Sequence, residues 1–245
     1  MDSSDFNYKM ANVIDIDGIP IYHKMIIADY LKFIDLLAQI ERLTVIQENE
    51  DFDWYGKSFE ALNGIRLGDF YIKKKCENMS FKILKIIKEE CDNYSENSIS
   101  ISSSIVNSTY GEFRFYYKIN ERITISIEVS GMYYRKMVHL NNQKKDGVIE
   151  PGNSNLVQEV TDYFKNEINW FDFSQITKIN PKYKSRKTDG INGFWDTSRY
   201  SQCLLNNTNT TTDIISYFVN DFNFILKNKD LITNNNICSP NPPVV

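Results

Sequence analysis

Three carboxylates in the middle of the chain could do chemistry together. Glu112 and Glu128 fall on the polar positions of two alternating segments, and Glu90 comes from the helical pattern that precedes them. Acids gathered this way can hold Mg²⁺ and direct water at a phosphodiester. Nucleophilic catalysis through a serine or cysteine has fewer options. The base must carry a titratable nitrogen near neutral pH, and the only histidines are His23 and His139. Structural zinc requires three or four convergent ligands, and Cys76, Cys91, Cys203 and Cys238 lie far apart without a CxxC pair. Neither GxGxxG nor GxxxxGK[ST] occurs, which removes the glycine-loop nucleotide sites.

Basic residues interleaved with aromatics suggest a second chemistry, the binding of phosphate and bases. They are Tyr133-Tyr134-Arg135-Lys136 and the stretch Lys182, Tyr183, Lys184, Arg186 and Lys187. Against this, the chain has a net charge of -4, whereas nucleic-acid domains are usually strongly basic. The acidity is concentrated at the start, where residues 1–60 hold 12 acids against 5 bases. Within that region Glu48, Glu50, Asp51 and Asp53 form an acidic loop running into Trp54. An exposed aromatic beside a charged loop is the composition of a protein contact, and Trp195 in a turn-rich segment is a second such anchor. A basic protein partner would complement the acidic loop.

The elements that must position these residues follow from periodicity. From His23 to Leu43, apolar residues such as Ile27, Leu31 and Ile34 recur at three- and four-residue spacings, which predicts a long amphipathic helix needing a large partner surface. Val13 to Ile19 and Ile65 to Ile72 are expected as short strands. A second helix is expected from Ser80, acting as its cap, through Tyr94. Then Ile99, Ile101 and Ile105 alternate with serines. Phe113, Phe115, Tyr117 and Ile119 alternate with Glu112, Arg114 and Lys118, and Ile123, Ile125, Ile127 and Val129 with Thr124, Ser126 and Glu128. Period two over three segments means three strands, each with one apolar face. The short Asn120-Glu121 connection makes the second and third antiparallel. Met132 to Leu140 is the fourth strand. A third helix opens at Ser154 and a fourth covers about residues 212–227.

Together these predict an α+β fold whose centre is an antiparallel β-meander at about residues 98–140, packed against flanking amphipathic helices. One domain is expected over 1–232, with an N-terminal helical part to about 79 and the sheet-containing core from about 80. An extended tail follows from 233. Over residues 80–170 the order helix, antiparallel meander, helix resembles the core of PD-(D/E)xK nucleases. That resemblance implies a Mg²⁺-dependent nuclease using Glu112 and Glu128. The family's motif has an acid, one spacer and a lysine; here Glu128-Val129-Ser130 carries serine in the lysine position. With that lysine missing, the leading expectation is a non-enzymatic interaction protein, and the nuclease or nucleic-acid binder is the alternative. No cofactor is expected except Mg²⁺ under that alternative. Neither a secretory leader nor an 18-residue apolar run is present, so an intracellular protein without membrane contact is expected.

Overall fold

The computed structural model describes residues 18–91, 99–103, 111–141, 153–180, 191–193 and 197–235. Their contacts divide the chain into two compact units, Met1–Val45 and Ile46–Val245. In the first unit, helix α1 (Ile21–Leu43) starts after Pro20 and ends at Thr44. It matches the predicted span to within two residues.

The second unit holds the other elements. They are α2 (Lys57–Asn63), α3 (Gly68–Glu90), β1 (Ile99–Ser103), β2 (Glu112–Lys118), β3 (Ile123–Ser130), β4 (Tyr133–Leu140), α4 (Asn153–Asn166), β5 (Asn192–Gly193), β6 (Ser198–Leu204) and α5 (Thr211–Thr233). Among the described residues this is an α+β fold with five helices and one six-stranded antiparallel sheet of order β1-β2-β3-β4-β6-β5. The meander of the first four strands stands as expected. The two remaining strands come from residues without clear alternation.

Register follows the apolar face. Phe115 lies opposite Ile127, and Tyr117 opposite Ile125. A slip of one residue would turn all of these side chains outward. Between β2 and β3 the Asn120 side chain accepts from the amides of Arg122 at 2.9 Å and Ile123 at 2.8 Å, so one residue's carboxamide shapes the turn. Between β3 and β4 only Gly131 and Met132 intervene, and Gly131 supplies the positive φ of 59° that such a tight hairpin requires.

The core forms where α5 crosses the apolar face of β2. Phe218 stacks on Phe113 at 5.5 Å and lies 5.2 Å from Phe115, while Phe222 meets Phe115 edge-on at 5.9 Å. Helix α3 packs against β2 through the bare backbone of Gly111. A Cβ there would come within 2.6 Å of Ile72 and 2.9 Å of the Cys76 sulfur. α5 is opened by a capping box in which Thr210 and Asp213 exchange hydrogen bonds. α4 is tied to it by the Tyr163 hydroxyl, which donates to the Leu231 carbonyl at 3.2 Å.

Two expectations on α3 are overturned. Residues 68–72 are helix rather than strand, because Tyr71, Ile72, Cys76, Met79 and Ile83 continue one three- and four-residue stripe that is buried throughout. Ser80 is therefore in mid-helix, its hydroxyl donating to the Glu77 carbonyl at 2.7 Å instead of capping an N-terminus. Of the strand expected over Val13 to Ile19, only Gly18 and Ile19 are among the described residues, and neither is in a strand. α5 includes Thr233, the first residue of the expected tail, and the residues after 235 lie outside the described ones. Cys76, Cys91 and Cys203 are buried, and burial pushes the Cys203 thiol up to about 12.

Candidate functional site

The polar face of the sheet is where the candidate catalytic acids fall. Strand alternation places Glu112, Arg114 and Tyr116 of β2, Ser126, Glu128 and Ser130 of β3, Arg135 and His139 of β4, and Ser198, Tyr200 and Gln202 of β6 on it. This face is only partly solvated, with Glu112, Tyr116, Arg135, Tyr200 and Gln202 half-buried and the others buried. Glu128 is 0% exposed, and its two oxygens are taken by the guanidiniums of Arg114 and Arg135, the latter at 2.6 Å. Arg135 also donates to Gln202 at 2.8 Å and lies over the rings of Tyr133 and Tyr200 at 5.7 and 5.5 Å. Arg114 reaches the Tyr116 hydroxyl at 2.9 Å. A buried carboxylate needs this degree of pairing, since desolvation otherwise costs several kcal/mol per ion.

His139 lies two strand positions along the same face. Its ring nitrogens are 2.6 Å from the Ser126 hydroxyl and 2.8 Å from the Ser198 hydroxyl. A neutral imidazole has one donor and one acceptor nitrogen, which two hydroxyls can complement. Burial, aided by the charge of Arg114, pulls His139 down to about 4. The serine and histidine pair that nucleophilic catalysis would need is thus present. Its hydroxyls are closed in, however, with Ser126 1% and Ser198 2% exposed.

Mg²⁺ does not fit the carboxylates of this face. Both oxygens of Glu128 are paired with guanidiniums, whose positive charge opposes a further cation beside them. Glu112 is opposite Ser130, one diagonal step away, and Glu90 is exposed at the end of α3. Among the described residues no group of three or more His, Cys, Asp or Glu could hold a metal ion.

Lys136 alternates onto the opposite face and is buried there. Its ammonium donates to Asp221 of α5 and to the Asp172 carbonyl, both at 2.7 Å, and lies 5.1 Å from the Trp170 ring. Asp221 further accepts from the Tyr134 hydroxyl at 2.8 Å and from Gln175 at 2.6 Å. Burial raises the Asp221 carboxyl above its ordinary value, while Lys136 and the hydrogen bonds hold it down. Arg135 and Lys136 therefore do not form the basic surface expected of them. Adjacent strand residues face opposite ways, and each of these two is spent on a buried carboxylate. Lys182, Lys184, Arg186 and Lys187 lie outside the described residues, as does Trp195.

Trp54 is not an exposed anchor. It is 3% exposed, with its ring 4.4 Å from Phe52 and 6.4 Å from Phe113. The Phe52 amide donates to the Asn209 carbonyl at 2.7 Å and the Thr211 amide to the Glu50 carbonyl at 2.8 Å, so this segment is pinned across the start of α5 and its aromatics turn into the core. Glu50 pairs with the buried Lys75, whose ammonium sits 5.7 Å over both Trp54 and Tyr71 and is pulled by burial down to about 8. Glu48, Asp51 and Asp53 are exposed.

Exposed aromatics occur instead on α1. Ile21 is 79% exposed, and Tyr22, Met25, Ile26, Tyr30 and Phe33 range from 45 to 67%. Tyr22, Ile26, Tyr30 and Phe33 follow one another at spacings of four, four and three, a single stripe of the helix. A second stripe of Ile27, Leu31 and Ile34 is half-buried. The predicted apolar face of Ile27, Leu31 and Ile34 is this second stripe. Spacing alone does not encode this difference in exposure.

No family model matches the chain, and neither the curated proteins nor the solved structures yield a match. No described helix is long and apolar enough to cross a membrane.

Proposed function

We propose that this chain is a protein-interaction protein whose helix α1 supplies the apolar contact and whose acidic N-terminal quarter selects a basic partner. One observation carries the reading, the stripe Tyr22, Ile26, Tyr30 and Phe33 with Ile21 and Met25 beside it, all exposed on one helix. Isolated surface hydrophobics are ordinary, but contiguous ones mark contact surfaces. Anchors at these spacings suit an amphipathic helix entering an apolar groove. Each such side chain contributes about 1.5–3 kcal/mol when buried, and several together can offset the cost of association.

Charge specifies the partner. Between residues 18 and 60 there are 8 acids and 4 bases, and the exposed Glu48, Asp51 and Asp53 follow α1 directly in sequence. The complementary partner is a protein with an apolar groove and a basic surface. Such charges act mainly on association rate and on the rejection of wrong partners. The buried, mutually paired carboxylates of the sheet support a scaffold role for that face.

Affinity capture with the full chain tests this reading, with Ile26→Asp/Phe33→Asp as comparator. Support would be a basic protein held by the wild type, lost in the variant and released by moderate salt. Recovery of the same proteins by both chains would refute it.

A further inference from the structure

Behind the Lys136 and Asp221 pair lies a cavity of about 170 Å³. Its volume corresponds to roughly six waters' share of liquid. Its floor carries both signs of charge at once, Lys136 at 5% and Asp221 at 4% side-chain exposure, joined at 2.7 Å. Lys136 and Asp221 neutralise one another, so the net charge of the lining is that of the Asp172 carboxylate, which opposes an anion. The electrostatics therefore exclude an anionic ligand, and the neutral hydrogen-bonding groups of the walls describe a neutral one.

The walls then decide its chemistry. Asn169, Gln175 and Asn220 line the space with carboxamides, which bring both donors and acceptors, although Gln175 gives one donor to Asp221. Each oxygen of Asp172 accepts one hydrogen bond from Ser174, at 2.9 and 2.5 Å, and each keeps acceptor capacity toward a ligand. The hydroxyl is the group that both donates and accepts at a single atom, and so meets a wall of mixed donors and acceptors without leaving any unpaired. Phe224, stacked at 6.2 Å on Trp170, adds an apolar surface for the C–H groups of a ring. We propose that this cavity is a binding site for a small neutral polyhydroxyl compound, the size of a single sugar ring or a short polyol.

The test is thermal unfolding and titration calorimetry of the full chain with glucose, galactose, mannose, ribose and glycerol. Glucosamine, glucuronate and uracil serve as the cationic, anionic and non-hydroxyl controls. Polyols stabilise many proteins through exclusion from the surface, so the diagnostic feature is saturation. The expected result is a saturable rise in Tm with at least one neutral polyol. In Asn220→Leu, at an exposed helix position that leaves the fold intact, the affinity should fall about tenfold, the loss of one hydrogen bond. A rise that is linear and identical in the variant would overturn the proposal. So would saturable binding confined to glucosamine, glucuronate or uracil, or no saturable binding at all.

Discussion

The carboxylate of Glu128 on β3 is bonded to Arg114 on β2 and to Arg135 on β4, so one fully buried acid bridges three adjacent strands. Such a residue acts as a fastening of the sheet. Glu128→Ala leaves two guanidiniums without their counter-ion and should lower the unfolding free energy by about 3–5 kcal/mol, as for other buried pairs that lose one member. Urea unfolding measures this. A loss below about 1 kcal/mol would show that the pair is not structural.

His139 gives the sheet a pH dependence of definite sign. Its folded value of about 4 is below the ordinary 6.5. As pH falls through 6.5 the unfolded chain takes up the proton first, so stability is lost between 6.5 and 4 and this contribution changes no further below 4. The full difference corresponds to about 3 kcal/mol. Stability measured from pH 7.5 to 4 should lose this component in His139→Gln, which does not titrate. An unchanged pH profile in that variant would contradict the buried neutral imidazole.

Lys136 and Asp221 should behave as one unit. Lys136→Met strands a carboxylate that is almost wholly buried and should destabilise by about 3–5 kcal/mol. Lys136→Met/Asp221→Leu removes both charges and should recover most of that loss, giving a large coupling in a double-mutant cycle. Additive losses would mean that the two side chains act independently.

The acidic segment should affect binding through rate. Replacing the exposed Glu48, Asp51 and Asp53 by their amides is expected to slow association with the captured partner and flatten its salt dependence, leaving dissociation nearly unchanged. Surface plasmon resonance at low and moderate salt separates the two rates.

Much of the sheet was legible because Phe113, Phe115, Ile125 and Ile127 obey a period of two, and both partner strands and α5 respect it. β6 escaped notice because Ser198, Tyr200 and Gln202 occupy the polar face while Arg199 and Ser201 blur the other. Lys136 followed the alternation into the core, but its partner is 85 residues away, and a lysine among strand residues reads as surface until that aspartate is placed. Trp54 misled through its acidic neighbours. What turns it inward is backbone pairing with the start of α5, a contact of long sequence separation. The helix of residues 21–43 was evident from spacing, whereas the exposure of its Tyr22 to Phe33 stripe is a property of the folded chain alone.

Amide hydrogen exchange of the full chain, with and without the partner recovered by capture, tests the central claim most directly. The account predicts slowed exchange concentrated in residues 21–37 of α1, with the strands of the sheet unchanged. Protection on the sheet strands or around the Lys136 cavity, with α1 exchanging as in the free protein, would contradict it.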